Sequence, residues 1–91
     1  MLRLRLSKDA DGFIASREPK HQRQIVARIQ SLRADPAPAD CKALKGKGKG
    51  LLRTDVGEYR IIYRLEDDVL HVALIGKRND DDVYRRLERQ P

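Results

Sequence analysis

Residues 59–75, YRIIYRLEDDVLHVALI, leave this chain few folds to choose from. Tyr59, Ile61, Tyr63 and Leu65 alternate with Arg60, Ile62 and Arg64, which is the period-2 pattern of a strand with two different faces. The β-branched and aromatic content suits a pleated surface. Glu66-Asp67-Asp68 reads as a polar hairpin turn. Residues 69–75 then run almost continuously apolar, as expected for a central strand covered on both faces. Two strands joined by so short a turn pair antiparallel. Residues 51–55 add a shorter strand, with Val56-Gly57-Glu58 as the turn into the next, and Gly57 is free to take a positive φ.

The first third has a different rhythm. Leu2, Leu4 and Leu6 alternate with Arg3 and Arg5, predicting a half-buried strand with a basic outer face. Ser7 is placed to cap a helix whose first turn holds Asp9 and Asp11, and Ala10, Phe13 and Ile14 form its apolar stripe. Pro19 suits the first turn of a second helix. Its stripe is Ile25, Ile29 and Leu32, widened by Val26. It ends near Asp35, because Pro36 disfavours helical geometry at the preceding residue. Residues 36–50 read as a flexible, positively charged connector carrying Lys42, Lys45, Lys47 and Lys49. Beyond Gly76, Asp80, Asp81 and Asp82 open a last helix, with Val83 and Leu87 on one side and Arg85, Arg86 and Arg89 toward its end. Asp81–Arg85 and Asp82–Arg86 match i, i+4 pairs. The expected order is β-α-α-β-β-β-α. This is a single small α+β domain over residues 1–91, mainly antiparallel, with the helices packed on one face and the arginines on an open second face.

Composition narrows the function. Ninety-one residues support one thin core. One cysteine, Cys41, rules out an intrachain disulfide and a Cys-rich zinc site. No apolar run approaches a membrane span. The opening MLRLRLSKD, charged between its leucines, lacks the pattern of a signal peptide. A cytoplasmic protein without cofactor or resident metal is the expectation. The net charge of +6 points to a polyanion partner.

Few groups are arranged for ordinary catalysis. GKGKG lacks the spacing of a phosphate-binding loop. Asp80-Asp81-Asp82 reads as a helix start in preference to a metal site. His71 could be a general base or a half-buried strand histidine with a backbone partner, and the second reading is preferred. His21 reads as solvated, and Cys41 as an incidental loop thiol. The cations are more informative. Lys42, Lys45, Lys47, Lys49 and Arg53 form an acid-free stretch, Arg60 and Arg64 share a strand face, and Lys77-Arg78 follow the central strand. Tyrosines interleave with them. Such a surface suits nucleic acid. It also suits cleavage of RNA by its own 2′-OH. Arginine clamps a phosphate bidentately, and a tyrosine serves as base where cations favour its phenolate, against a reference pKa of about 10.

GEYRIIYRLEDDVLHVALIGKRNDDDVYRRL resembles the RelE/ParE toxin superfamily of type II toxin–antitoxin systems. The shared pattern is Gly-x-Tyr-Arg, two apolar residues and Tyr, an acidic turn, an apolar strand, Gly-Lys-Arg and a final Val-Tyr. LRLSKDADGFI, the helix ending in ADPAP, and CKALKG extend it over essentially the whole chain. The match looks closer to the RelE-type mRNA interferases than to the ParE-type gyrase poisons. The resemblance implies a metal-independent endoribonuclease that cleaves mRNA in the ribosomal A site and is neutralised by a cognate antitoxin. Arg60 would then hold the scissile phosphate and help orient the nucleophile. Arg78 would stabilise charge on the leaving side and could act as acid. Tyr84 would be the base or orient the 2′-OH. Arg53 falls on a strand where the family carries basic residues, whereas Leu51 and Asp55 depart from that character. Lys45, Lys47, Lys49 and Lys77 are candidate RNA or ribosome contacts on charge alone. The alternative implied by the same superfamily is a gyrase inhibitor, or a homologue that only binds its antitoxin.

Overall fold

A computed structural model describes residues 1–46, 50–79 and 82–89, the side chains of Asp82 and Glu88 excepted. The elements are β1 (Arg3–Leu6), α1 (Lys8–Ala15), α2 (Pro19–Ala34), β2 (Lys42–Ala43), β3 (Leu52–Val56), β4 (Tyr59–Glu66), β5 (Val69–Lys77) and α3 (Asp82–Arg89). They make an α+β domain in the expected order, with one addition. The two-residue strand β2 lies inside the stretch expected to be a loop. It pairs Lys42 with Arg53 and Ala43 with Leu52 at the sheet edge. Its exposed Lys-Ala sequence carries no apolar alternation, so its pairing is visible only once β3 exists.

The five strands run in the order β1-β5-β4-β3-β2. β2 through β5 are antiparallel neighbours. β1 lies parallel to β5, because α1 and α2 carry the chain across one face before the later strands form. Both hairpin loops are tight. Asp67, at φ 53, helps turn β4 into β5, a conformation that aspartate tolerates better than most residues. Gly57, at φ 56, turns β3 into β4.

Ser7 joins two of these elements. Its side chain caps α1 by accepting the Ala10 N–H at 3.0 Å, and its own hydroxyl donates to the Ala73 carbonyl at 2.6 Å. Ala73 is where β5 slips relative to β4. Ile62 faces Leu74 but Tyr63 faces Val72, leaving Ala73 unmatched. This β-bulge helps explain the nearly continuous apolar run of β5, since it switches which positions face which side. Val72 and Ile75, three residues apart, therefore share one core cluster.

That cluster holds Ile25, Ile29 and Leu32 of α2, Ala10 of α1, and Tyr59, Ile61 and Tyr63 of β4. Leu2, Leu4 and Leu6 pack against it, as their alternation predicts. Val26 does not widen the α2 stripe and is 41% exposed. Leu65, also 41% exposed, lies past the end of the covered face. A second cluster of Ile62, Leu74, Val83 and Leu87 occupies the opposite side of the strands. So α1 and α2 share one face, while α3 covers part of the face expected to be wholly open. The cause is local. Ile62 and Leu74 are apolar on the arginine face, and α3 offers Val83 and Leu87 to bury them. Asp80 and Asp81 fall outside the described residues, as do the side chain of Asp82 and hence both expected i, i+4 pairs.

Candidate active site

The α3 face of the sheet assembles the site. Arg60 lies opposite Asp55 in the β3–β4 pair and opposite Gly76 in the β4–β5 pair. Directly paired residues share a sheet face, and so do residues two apart in one strand. Arg53, Asp55, Arg60, Ile62 and Leu74 therefore project to one side. α3 then brings Tyr84 over Arg60. The Arg60 Nη1 donates to the Tyr84 hydroxyl at 2.7 Å, and the guanidinium carbon is 5.9 Å from the Tyr84 ring centre. Two of the three residues expected to act together are thus in direct contact.

The remaining donors of Arg60 are directed at Asp55. Nε donates to Oδ1 at 2.8 Å and Nη2 to Oδ2 at 3.3 Å, a bidentate pair with both side chains largely shielded from water. The Arg60 hydrogen bond is the main reason the Asp55 carboxyl is held below the ordinary carboxylate range, and the charges of Arg53 and Arg78 push the same way. Asp55 reciprocally raises the affinity of Arg60 for its proton. Arg53 shares the sheet face of this centre by register. Arg78 is exposed, and its backbone N–H donates to the Glu58 carbonyl at 2.9 Å. Asp55 is the site residue that the sequence reading did not assign a role. The signal was available: a two-residue turn pairing Val56 with Tyr59 necessarily sets Asp55 against Arg60.

The other expected binding residues are dispersed. Lys77 pairs with Tyr59, so the sheet turns it to the α1–α2 face, away from Arg60. There it lines a separate cleft with Arg17, His21 and Glu58. Lys45 is exposed just beyond β2. Lys47 and Lys49 lie outside the described residues. His21 is not a solvated residue. Its Nδ1 is 2.5 Å from the Tyr59 hydroxyl and 3.5 Å from Glu58. His71 is half-buried as expected, but its nearest charged partner is Glu66, at 3.8 Å. Cys41 is a half-buried free thiol. Among the described residues, no group of three or more His, Cys, Asp or Glu is arranged to hold a metal, and no helix is long and apolar enough to cross a membrane.

A second depressed carboxylate lies in the scaffold. Asp40 is held low chiefly by the Thr54 hydroxyl, which donates to Oδ2 at 2.8 Å, and Arg28 donates to Oδ1 at 2.7 Å. For both aspartates the folded value lies below the unfolded one, so their contribution is complete above the unfolded value and is lost as pH falls through the folded one. Melting temperature should therefore decline with acidification below about pH 4, near the unperturbed aspartate value. Asp55→Asn or Asp40→Asn should flatten that decline in a pH series of thermal melts, and an unchanged slope in both would contradict the assignment.

A five-stranded sheet with two helices on one face and a third on the other is a fold found in solved toxins of type II toxin–antitoxin pairs. The structure resembles the RelBE2 toxin–antitoxin complex of Mycobacterium tuberculosis, with TM-score 0.74, 20% identity, and coverage of 85% of this chain and 98% of the other. It resembles the archaeal RelE–RelB complex of Pyrococcus horikoshii OT3, with TM-score 0.72, 26% identity, and coverage of 85% and 94%. A mutant of the E. coli toxin RelE in the free state gives TM-score 0.76, 18% identity, and coverage of 97% and 95%. No protein of curated function matches in sequence. The chain belongs to the ParE toxin family: the model for the ParE toxin of type II toxin-antitoxin system, parDE, matches residues 5–82. Within the wider RelE/ParE superfamily its fold sits closer to the RelE type.

Proposed function

We propose that this toxin is a ribosome-dependent endoribonuclease that cleaves mRNA until a cognate antitoxin covers it. The observation that carries this reading is the Arg60–Tyr84 contact at 2.7 Å, on a sheet face that Arg53 shares by strand register. Because Arg60 donates to the Tyr84 oxygen, the phenol proton remains available to an outward acceptor such as a ribose or phosphate oxygen. In the reaction the 2′-oxygen bonds to phosphorus as the bond to the 5′-oxygen breaks. The 2′ proton passes to water, and the 5′-oxygen takes up a proton from water. Tyr84 is suited to orient the 2′-OH. Arg78 is suited to stabilise the leaving oxygen as a fixed cation, since guanidinium holds its proton. Asp55 occupies the bidentate edge of Arg60, so phosphate binding requires Arg60 to exchange a carboxylate for a phosphate. Arg53, Lys45 and the ribosome itself would favour that exchange by adding positive potential or excluding water.

The same Asp55 pair favours a second reading. An arginine already satisfied by a carboxylate suits a toxin that acts by binding protein, as a gyrase inhibitor does. Induction followed by primer extension on a translated mRNA separates the two. Cleavage by the unsubstituted protein, with a loss of about 10²-fold or more in Tyr84→Phe, is the expected result. Full cleavage by Tyr84→Phe would remove the site assignment. No cleavage at all, together with DNA damage, would establish the gyrase reading instead.

A further inference from the structure

The arginine face continues beyond α3. Arg5 of β1 pairs with His71 of β5, and His71 pairs with Arg64 of β4. Three strands therefore present Arg5, His71 and Arg64 in one row on a single face, about 10 Å across two strand spacings. They border an open cleft of about 320 Å³, whose floor includes Ser7 and Ala73 at the bulge. Arg5 and Arg64 are exposed, and His71 is half-buried between them. Glu66 stands 3.4 Å from Arg64 and 3.8 Å from His71, and Asp67 and Asp68 line the adjoining cleft beside Arg5, where Asp68 faces Arg3 at 3.9 Å. The apolar residues that line the cleft, Leu6 and Val72, belong to the core cluster or pack against it, and the exposed Met1, Val26 and Leu65 do not line it. A docked peptide would want an apolar anchor there, whereas a phosphodiester chain wants only donors and positive charge.

Orientation adds the second half of the argument. Arg60 and Arg64 are four residues apart on the same face of β4, about 13 Å at ~3.3 Å per residue. The row shares its face with the Arg60–Tyr84 centre at the length of a few nucleotides, with the buried Ile62–Leu74 pair and α3 between them, so RNA joining the two would pass over α3. We propose that Arg5, His71 and Arg64 form a backbone-binding extension of the active site, which holds single-stranded RNA flanking the cleaved bond. The inference rests on the RNA-cleaving reading, but its test can fail separately.

The test measures binding of a short, uncleavable 2′-O-methyl oligonucleotide of mixed sequence across a salt series. Arg5→Ala/Arg64→Ala is compared with Lys20→Ala/Arg23→Ala, which removes equal charge from exposed positions of α2 on the opposite face. The expected result is roughly tenfold weaker binding for the first pair, with the log–log salt slope shallower by about 1.4, and little change for the control. Equal effects of the two pairs would overturn the extension and leave the RNA reading standing. Undetectable binding by the unsubstituted protein would overturn the extension, while primer extension on a translated mRNA decides the cleavage reading separately. Loss of poly-glutamate binding without loss of RNA binding would mark the row as a site for an acidic peptide and overturn the proposal.

Discussion

Arg60→Ala should reduce mRNA cleavage by at least about 100-fold and destabilise the fold at the same time. The catalytic loss follows from removing the donor to Tyr84 and the cation facing the phosphate, the kind of preorganised contact whose removal commonly costs 10²–10³-fold, roughly 3–4 kcal/mol. The stability loss has a different origin. Without the guanidinium, Asp55 is left as a shielded carboxylate lacking both of its bidentate donors, at a cost of about 2 kcal/mol. For a domain of this size that lowers the melting temperature by roughly 10 °C. The two effects separate in Asp55→Ala/Arg60→Ala. Removing both partners abolishes the stranded charge, so the melting temperature should largely recover while cleavage stays lost. Recovery of cleavage in the double variant would show that Arg60 serves the fold alone. Arg60→Lys should retain charge but lose the bidentate geometry, and cleavage should remain low.

The Asp55–Arg60 pair also shows what a sequence of this kind conveys. The strand pattern of residues 59–75 and the turn at Gly57 together fix the register that sets these two residues opposite each other. Arg60 and Tyr84 were legible as candidates from their motif, but their contact depends on where α3 lies. That placement is written in Ile62 and Leu74, apolar residues on a face otherwise occupied by arginines, whose burial needs a partner. The bulge at Ala73 was hidden for a related reason. A continuous apolar run reads the same with or without a slipped residue, and only the cross-strand pairs reveal it. The edge strand β2 and the His21–Tyr59 contact arise from pairing over long sequence separations, for which two-residue or single-residue patterns carry no signal.

Gly76→Ala should disable the site without touching any residue that faces RNA. Gly76 is the penultimate residue of the central strand, beneath α3 and opposite Arg60. A methyl group there would overlap the Val83 Cγ2 atom and stand 3.0 Å from the Arg86 Nη2. Neither neighbour yields easily. Val83 is fully buried, and a valine in a helix has essentially one favoured rotamer. Arg86 is held by Asp9 at 2.5 Å and by the Ile75 carbonyl, which ties α3 to the start of α1. The helix must therefore shift as a body, carrying Tyr84, the residue after Val83, away from Arg60. Overpacking of this kind costs about 1–3 kcal/mol. Cleavage should fall by about the same factor as in Tyr84→Phe. Amide exchange should rise in α3 while β4 and β5 stay protected. Gly12→Ala is the matched control: nothing lies within 4 Å of the added methyl group in α1, so stability should hold or rise by about 0.5–1 kcal/mol with cleavage intact. Normal cleavage by Gly76→Ala would mean that Tyr84 need not sit against Arg60, and the proposed division of labour between them would fall.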